Sequence, residues 1–233
     1  MKKLGIIGAM AVEVETLRQN MARTTVTEKA GMTFCEGVLE DLPAVVVECG
    51  VGKVNAAMCA QILCDCFGVT HLVNTGIAGS LCNDLDILDL VVSQDAMYYD
   101  VDCRVVNYPV GKVPGMPLTY LADEGLLGSA FAAAEAVSPG RNHVGRVATG
   151  DQFVADRGLK EHIVAVTQAL CTEMEGAAIA QAAYRNGVPF VIIRAISDKA
   201  DESVEMEYAA FESVAAHRCA EIAMRLARGL AEE

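Results

Sequence analysis

Four carboxylates, Glu13, Glu173, Glu175 and Asp198, stand where short apolar runs give way to small or polar residues, and they are the strongest candidates for chemistry in this chain. Carboxylates in pairs divide labour: one kept protonated by an apolar setting acts as an acid, while another stays ionised to activate water or steady a cation. Cleavage of a glycosidic bond needs that division. The leaving group takes a proton, water needs a base, and an oxocarbenium-like sugar favours nearby negative charge. Phe153 is available to stack on a planar group. Each carboxylate also has a plainer reading: Glu13 as a first-turn glutamate favoured by a helix dipole, and Asp198 as a cap after its strand.

The stretch from Cys171 to Asp201 is the densest in such residues. It reads as an alanine-rich helix over Thr172 to Asn186, stopped by Gly187-Val188-Pro189, with glycine just past the helix end and proline beyond. On a helix Glu173 and Glu175 are about 200° apart, so one faces a ligand and the other faces solvent. Met174, Ala178 and Gln181 lie near the face of Glu175 and lean the choice toward it. A fully apolar strand, Phe190 to Ile193, then releases Arg194, Ser197 and Asp198 at its carboxyl end, where open α/β sheets place their chemistry.

Other chemistries lack their signatures. The four histidines are scattered, with no His-x-x-x-His, so no metal site is expected. No Gly-x-Ser-x-Gly elbow supports a nucleophilic serine. The turn Gly8-Ala9-Met10 lacks the Gly-x-Gly-x-x-Gly spacing of dinucleotide binding, so no nicotinamide cofactor is expected. Gly50-Val51-Gly52-Lys53 precedes a helix and could hold an anion on backbone N–H groups, yet it falls short of the phosphate-loop pattern. The nine cysteines are odd in number and include no Cys-x-x-Cys, which reads as small apolar thiols in a reducing cytoplasm. A net charge of -13 argues against nucleic acid or anionic lipid as a partner. The opening Met-Lys-Lys-Leu-Gly-Ile-Ile-Gly is too short an apolar run for a secretory signal or a membrane span.

With 53% hydrophobic residues among 233, the chain can bury a large core, and residues 1–233 read as one domain. Leu4 to Ile7 predicts a strand, with Met10, Val14, Leu17 and Met21 following at helical spacing. Met32 to Leu39 and Ala44 to Glu48 predict a hairpin joined by Glu40-Asp41-Leu42-Pro43. A helix is expected from Val54 to about Phe67 and a buried strand over Thr70 to Asn74. Thr75-Gly76-Ile77-Ala78-Gly79-Ser80 follows as a loop whose glycines let backbone approach a ligand. Further strands are expected at Leu88 to Ser93 and Val144 to Thr149, and helices at Ala122 to Val137 and Gly158 to Gln168. Tyr98 to Pro117 reads as a long functional loop. Tyr208 to Leu230 predicts a closing helix with Phe211, Val214, Ala215, Cys219, Ile222, Ala223 and Leu226 on one stripe. Alternating strands and helices imply a three-layer α/β fold around a central mixed sheet.

Six segments in order resemble the 5′-methylthioadenosine/S-adenosylhomocysteine nucleosidases of the purine nucleoside phosphorylase and uridine phosphorylase superfamily. They are Gly5-Ile6-Ile7-Gly8-Ala9-Met10 with Glu13, Gly50-Val51-Gly52-Lys53, Asn74-Thr75-Gly76-Ile77-Ala78-Gly79, Gly150-Asp151-Gln152-Phe153, Glu173-Met174-Glu175 and Arg194-Ala195-Ile196-Ser197-Asp198. The resemblance covers essentially the whole chain and implies a partly barrel-like sheet. It implies a cofactor-free hydrolase of methionine salvage that releases adenine. In that case Asp198 protonates the purine, Glu13 activates water, and Glu175 binds the ribose hydroxyls, held by Arg194. Met174 would pack on the sugar, Phe153 stack on adenine, the Val154 backbone read its edge, and Ser197 support the acid. Met10, Val51, Ala78, Gly79 and Tyr208 would complete the pocket. The resemblance further implies a homodimer in which Cys103, Val106 and Pro114 reach the neighbouring subunit's pocket. Ile77 departs from the family's frequent serine, and Cys103 from its usual apolar residue. A nucleosidase for futalosine or 5′-deoxyadenosine, or a nucleoside phosphorylase, is the alternative.

Overall fold

The computed structural model describes residues 2–232. In chain order the elements are β1 (Leu4–Gly8), α1 (Ala11–Gln19), β2 (Ala22–Lys29), β3 (Met32–Leu39), β4 (Leu42–Glu48), α2 (Lys53–Phe67), β5 (His71–Ser80) and β6 (Leu90–Tyr98). They continue with a 3-10 turn (Arg104–Val106), β7 (Tyr120–Leu121), α3 (Glu124–Val137), β8 (Asn142–Thr149), α4 (Arg157–Thr167), β9 (Cys171–Glu173), α5 (Gly176–Asn186), β10 (Phe190–Asp198) and α6 (Val204–Glu232). The strands form one mixed sheet in the order β10-β6-β8-β9-β5-β1-β4-β3-β2, with β7 on the edge of β6. Because β10 also pairs with β5, the strands β10, β6, β8, β9 and β5 close into a five-stranded ring. The expected central, partly barrel-like sheet is present.

Alternation along each strand builds two cores. Ile7, Val45 and Val47 pack with α2 and α5 on one side, while Ile6, Ala44 and Val46 pack toward α1, α3 and α6 on the other. This is the three-layer arrangement expected for strands that read as nearly continuous apolar runs. Of the stripe expected on α6, Ala215, Cys219, Ile222, Ala223 and Leu226 are buried, whereas Val214 is exposed. Among the described residues no helix is long and apolar enough to cross a membrane, and all nine cysteines are free thiols.

Several boundaries differ from expectation, each for a physical reason. β2 has no counterpart among the expected strands, because it is an edge strand that is exposed along nearly its whole length and carries no apolar alternation. The hairpin between β3 and β4 turns on Glu40 and Asp41 alone, both at positive φ (49° and 64°), as a two-residue type I′ turn requires. Leu42 and Pro43 therefore belong to β4. Thr75 to Ser80 is not a loop: β5 continues through it, pairing with β10 from Leu72 to Gly79. Small residues read as a turn in sequence, but here the glycines leave the space that the Glu13, Arg194 and Asp198 side chains occupy. β10 likewise runs on through Arg194 to Asp198, with a register shift between Ile196 and Asp198. The helix expected from Thr172 starts only at Gly176, and Cys171–Glu173 is a short strand between β5 and β8.

Candidate active site

The carboxyl ends of β1, β5, β8, β9 and β10 meet at a cleft of roughly 600 Å³, counting its open mouth. Glu13 enters it from the first turn of α1. One carboxylate oxygen, Oε2, accepts the N–H groups of Ala9 (2.7 Å) and Met10 (3.1 Å), while Oε1 accepts that of Ile77 (3.0 Å). The plainer reading of Glu13 is thus half true. It caps its own helix through the Met10 N–H, but it also reaches across to β5, and it is buried instead of solvated. Burial raises its pKa, against the opposing pull of Arg194 and of the three N–H groups. Gly76 makes this possible: a Cβ there would collide with the Glu13 carboxylate and the Arg194 guanidinium.

Arg194, 1% exposed, is the cation beneath the cleft. Its Nη2 donates to Asn74 Oδ1 and Glu173 Oε2, and Glu175 Oε2 lies 3.8 Å from the same nitrogen. Burial works against the charge, but Glu173, Glu13 and Glu175 together hold the guanidinium pKa above its ordinary value. Glu173 is the main correction here. Expected in solvent, it is buried, because it sits on β9 and not on a helix; a strand residue and an N-cap two positions on can both face one cavity. Arg194 correspondingly pairs with Glu173 more closely than with Glu175. Glu175 Oε1 accepts the Gly52 N–H at 2.8 Å. Its pKa is raised by burial and then by the charge of Glu173, with Arg194 and the Gly52 N–H opposing.

Asp198 occupies the opposite wall. Its Oδ2 accepts from Ser197 Oγ and its Oδ1 from the Ala200 N–H, both at 2.8 Å. Burial raises its pKa, and the nearby Glu207 and Asp201 add to the shift, while its two hydrogen-bond donors oppose it. Gly79 gives the carboxyl its space, since a Cβ would lie 2.8 Å from Oδ1. Phe153, 56% exposed, meets Tyr208 edge-on with ring centroids 5.4 Å apart. Tyr208 Oη donates to Glu212 at 3.0 Å and touches Met10 Sδ at 3.4 Å.

Of the residues singled out in the sequence, Met10, Glu13, Val51, Ala78, Gly79, Phe153, Val154, Met174, Glu175, Ser197, Asp198 and Tyr208 line this one cleft. Arg194 lies beneath it. Cys103, Val106 and Pro114 do not line it; Cys103 is half-buried, and Val106 and Pro114 are exposed in the segment between β6 and β7. Sequence reasoning missed Ala9, Gln152, Thr172 and Glu173 in the lining. Thr172 is buried, and its hydroxyl has no hydrogen-bond partner among the described residues; the pairing of β9 with β5 and β8 brings it here. The anion site suggested at Gly50 to Lys53 is filled from within: the Gly52 N–H takes Glu175, and the Lys53 N–H takes Asp151 Oδ1 at 2.9 Å. Among the described residues no cluster of three or more His, Cys, Asp or Glu is placed to hold a metal ion.

A sequence model of the phosphorylase superfamily matches residues 3–228. A 5′-methylthioadenosine/S-adenosylhomocysteine nucleosidase from Geobacillus kaustophilus (strain HTA426) is 41% identical over 225 residues, covering 96% of each protein. The chain belongs to this nucleosidase family of the phosphorylase superfamily. Its fold agrees with that of a family member from Neisseria meningitidis solved with methylthio-immucillin-A, at a TM-score of 0.95 and 32% identity over 98% of this chain and 100% of that one. The futalosine hydrolase of Helicobacter pylori strain 26695 is also similar, at a TM-score of 0.89 and 31% identity over 97% of each chain. Membership in the nucleosidase family thus extends over nearly the whole length, as the six segments implied.

Proposed function

We propose that this chain hydrolyses the N-glycosidic bond of 5′-methylthioadenosine and S-adenosylhomocysteine, with Glu13 as general base, Asp198 as general acid and Glu175 as the ribose ligand. Glu13 takes a proton from water as the water oxygen attacks C1′. The bond from C1′ to the purine breaks, its electron pair moves onto the base, and Asp198 protonates that base so that it leaves neutral. The products are adenine and the 5-thioribose. Buried carboxylates near the sugar favour the positive charge that develops there. Phe153 stacks on the base, the Val154 backbone reads its edge, and Met10, Met174 and Tyr208 pack along the sugar and the 5′-alkylthio group.

One observation carries the choice of water over phosphate: the Glu13 carboxylate occupies the N–H groups of Ala9, Met10 and Ile77 that an anion would need. The buried cation Arg194 is committed to Glu173 as well. A phosphate placed there would confront a carboxylate, which disfavours phosphorolysis. Incubation with 5′-methylthioadenosine, with and without phosphate, tests this. Adenine and free 5-methylthioribose are expected at equal rates in both, and turnover that depends on phosphate would exclude the hydrolase. The likeness to a futalosine hydrolase favours one further reading, a nucleosidase for another 5′-substituted adenosine such as futalosine or 5′-deoxyadenosine. Comparison of kcat/KM over such nucleosides decides between them.

The same reading makes residues 1–233 one nucleosidase domain that acts without a cofactor in methionine salvage. The free thiols support a reducing cytoplasm. It also makes the protein a homodimer, with Cys103, Val106 and Pro114 completing the partner's thioalkyl pocket. Val105 and Val106, 94% and 58% exposed on the 3-10 turn, support an unmet apolar surface. Sedimentation is expected to give twice the mass of one chain.

A further inference from the structure

Glu173 is a buried carboxylate that the reaction above leaves without a task. Its Oε2 accepts the N–H groups of Glu175 (3.0 Å) and Gly176 (2.7 Å) together with Arg194 Nη2, and its Oε1 accepts from Thr149 Oγ. Thr149 Oγ in turn accepts the Ala177 N–H at 2.8 Å. The two glutamates therefore face one guanidinium nitrogen, and Glu173 holds it while Glu175 stays 3.8 Å away.

We propose that Glu173 is a positioning residue: by keeping the Arg194 guanidinium on its own carboxylate, it prevents a close ion pair at Glu175 and leaves an acceptor oxygen there open to the ribose hydroxyls. This rests on the reading of Glu175 as ribose ligand. A carboxylate has a small number of acceptor sites, and Gly52 already uses one on Oε1. A forked arginine contact would take two more of the roughly four, since guanidinium and carboxylate match in a paired geometry, and would leave too few for two ribose hydroxyls. The surroundings make the competition sharp. Glu13 from α1, the Cys49 thiol after β4, Glu173 from β9 and Arg194 from β10 face Glu175, and Tyr98 and Tyr99 at the end of β6 face Glu173. Three carboxylates thus share a single cation. The burial-raised pKa of Glu175, to which Glu173 adds, agrees with a carboxylate denied its ion pair.

The competing account is that Glu173 only caps α5, because its Oε2 and Thr149 satisfy the helix's first N–H groups. Glu173→Gln separates the two, since it keeps an acceptor for those N–H groups and removes the charge. The measurements are Tm, kcat and KM for 5′-methylthioadenosine across pH, and carboxyl NMR titration of glutamate-labelled protein, with the Glu175 signal assigned through Glu175→Gln. In Glu173→Gln the Glu175 midpoint and the acid limb of kcat/KM are expected to fall by about one pH unit as Arg194 turns to Glu175. KM is expected to rise about tenfold, the value of one lost hydrogen bond, with a smaller change in kcat. A lower Tm with wild-type midpoint and KM would leave Glu173 as a cap alone and overturn the proposal. If Glu173→Gln does not fold, Glu173→Asp draws the charge back from Arg194 and is expected to move the midpoint the same way by less; an unmoved midpoint overturns the proposal there too. Wild-type protein that releases no adenine would instead refute the hydrolase reading, and the Glu175 midpoint would still judge the positioning claim.

Discussion

The two walls of the cleft handle negative charge in opposite ways. The wall formed by Glu13, Glu173 and Glu175 gathers carboxylates around Arg194 and ties them to backbone N–H groups from four separate segments. Among the described residues, the hydrogen-bond donors to Asp198 are one hydroxyl and one N–H, no cation pairs with it, and Glu207 and Asp201 are its acidic neighbours. Burial pushes Glu13, Glu175 and Asp198 all toward the protonated form, but on the first wall Arg194 and backbone N–H groups pull Glu13 and Glu175 back toward the ionised form, while beside Asp198 the acidic neighbours add to the push. In the proposed reaction the first setting suits a base and a ribose ligand and the second an acid. Position at a strand end does not tell these roles apart. What each carboxylate is bonded to does.

The largest expected effects come from neutralising one carboxylate on each wall. Glu13→Gln and Asp198→Asn should each lower kcat by about 10² to 10⁴-fold. They should differ in stability. An amide at Glu13 turns donors toward the N–H groups of Ala9, Met10 or Ile77 and should cost about 1–3 kcal/mol. An amide at Asp198 can still accept from Ala200 and donate to the Ser197 hydroxyl, so its Tm at pH 8 should match or exceed wild type. Equal losses of Tm in thermal melts would break the contrast.

Gly76→Ala presses a Cβ between Glu13 and Arg194 and should lower stability by about 1–3 kcal/mol through overpacking, with a fall in kcat/KM of at least about tenfold. Wild-type kinetics there would mean that the packing of the charged wall is not demanding. Phe153→Ala removes the stacking surface from the other wall. It should raise KM by about tenfold, near the middle of the stacking range, with Tm unchanged because the ring is half exposed.

The smallest effect is in pH-dependent stability. The pKa values of Glu13, Glu175 and Asp198 are all raised above their ordinary values of 4.5, 4.5 and 3.8, so the folded protein binds more protons than the unfolded chain. Their contribution is fully present below the ordinary values and is lost as pH rises through the raised ones. Tm should therefore decline from about pH 5 toward neutrality, and less steeply in Glu175→Gln. Asp89, Asp102 and Asp201, whose values are lowered, act in the opposite sense, below pH 4. A Tm that rises toward pH 8 would contradict the charge balance drawn for both walls.

Much of the molecule was legible from residue order. Apolar runs and helical spacing located most strands and helices, and the strand-end positions of Glu13 and Asp198 pointed to the cleft before any fold was known. Three features resisted for different reasons. β2 has no apolar face to betray it. Thr75 to Ser80 looks like a turn because its small residues serve ring closure and the room that Glu13 and Asp198 need. Cys171 to Glu173 has helix-forming neighbours, and its strand state comes from β5 and β8 on either side.

Sequence alone therefore determined which side chains could supply acid, base and stacking, because those are properties of residue type and of the family's ordered segments. The tertiary structure decided which carboxylate met which partner. Arg194 reaches Glu173 before Glu175, and the N–H groups near Gly8 and Gly52 are taken by Glu13 and Glu175 and not left for an anion. Glu13 meets the Met10 N–H within one helical turn, but Gly52 and Glu175 are 123 positions apart and Glu173 and Arg194 lie on different strands, and sheet register, not local pattern, brings these together.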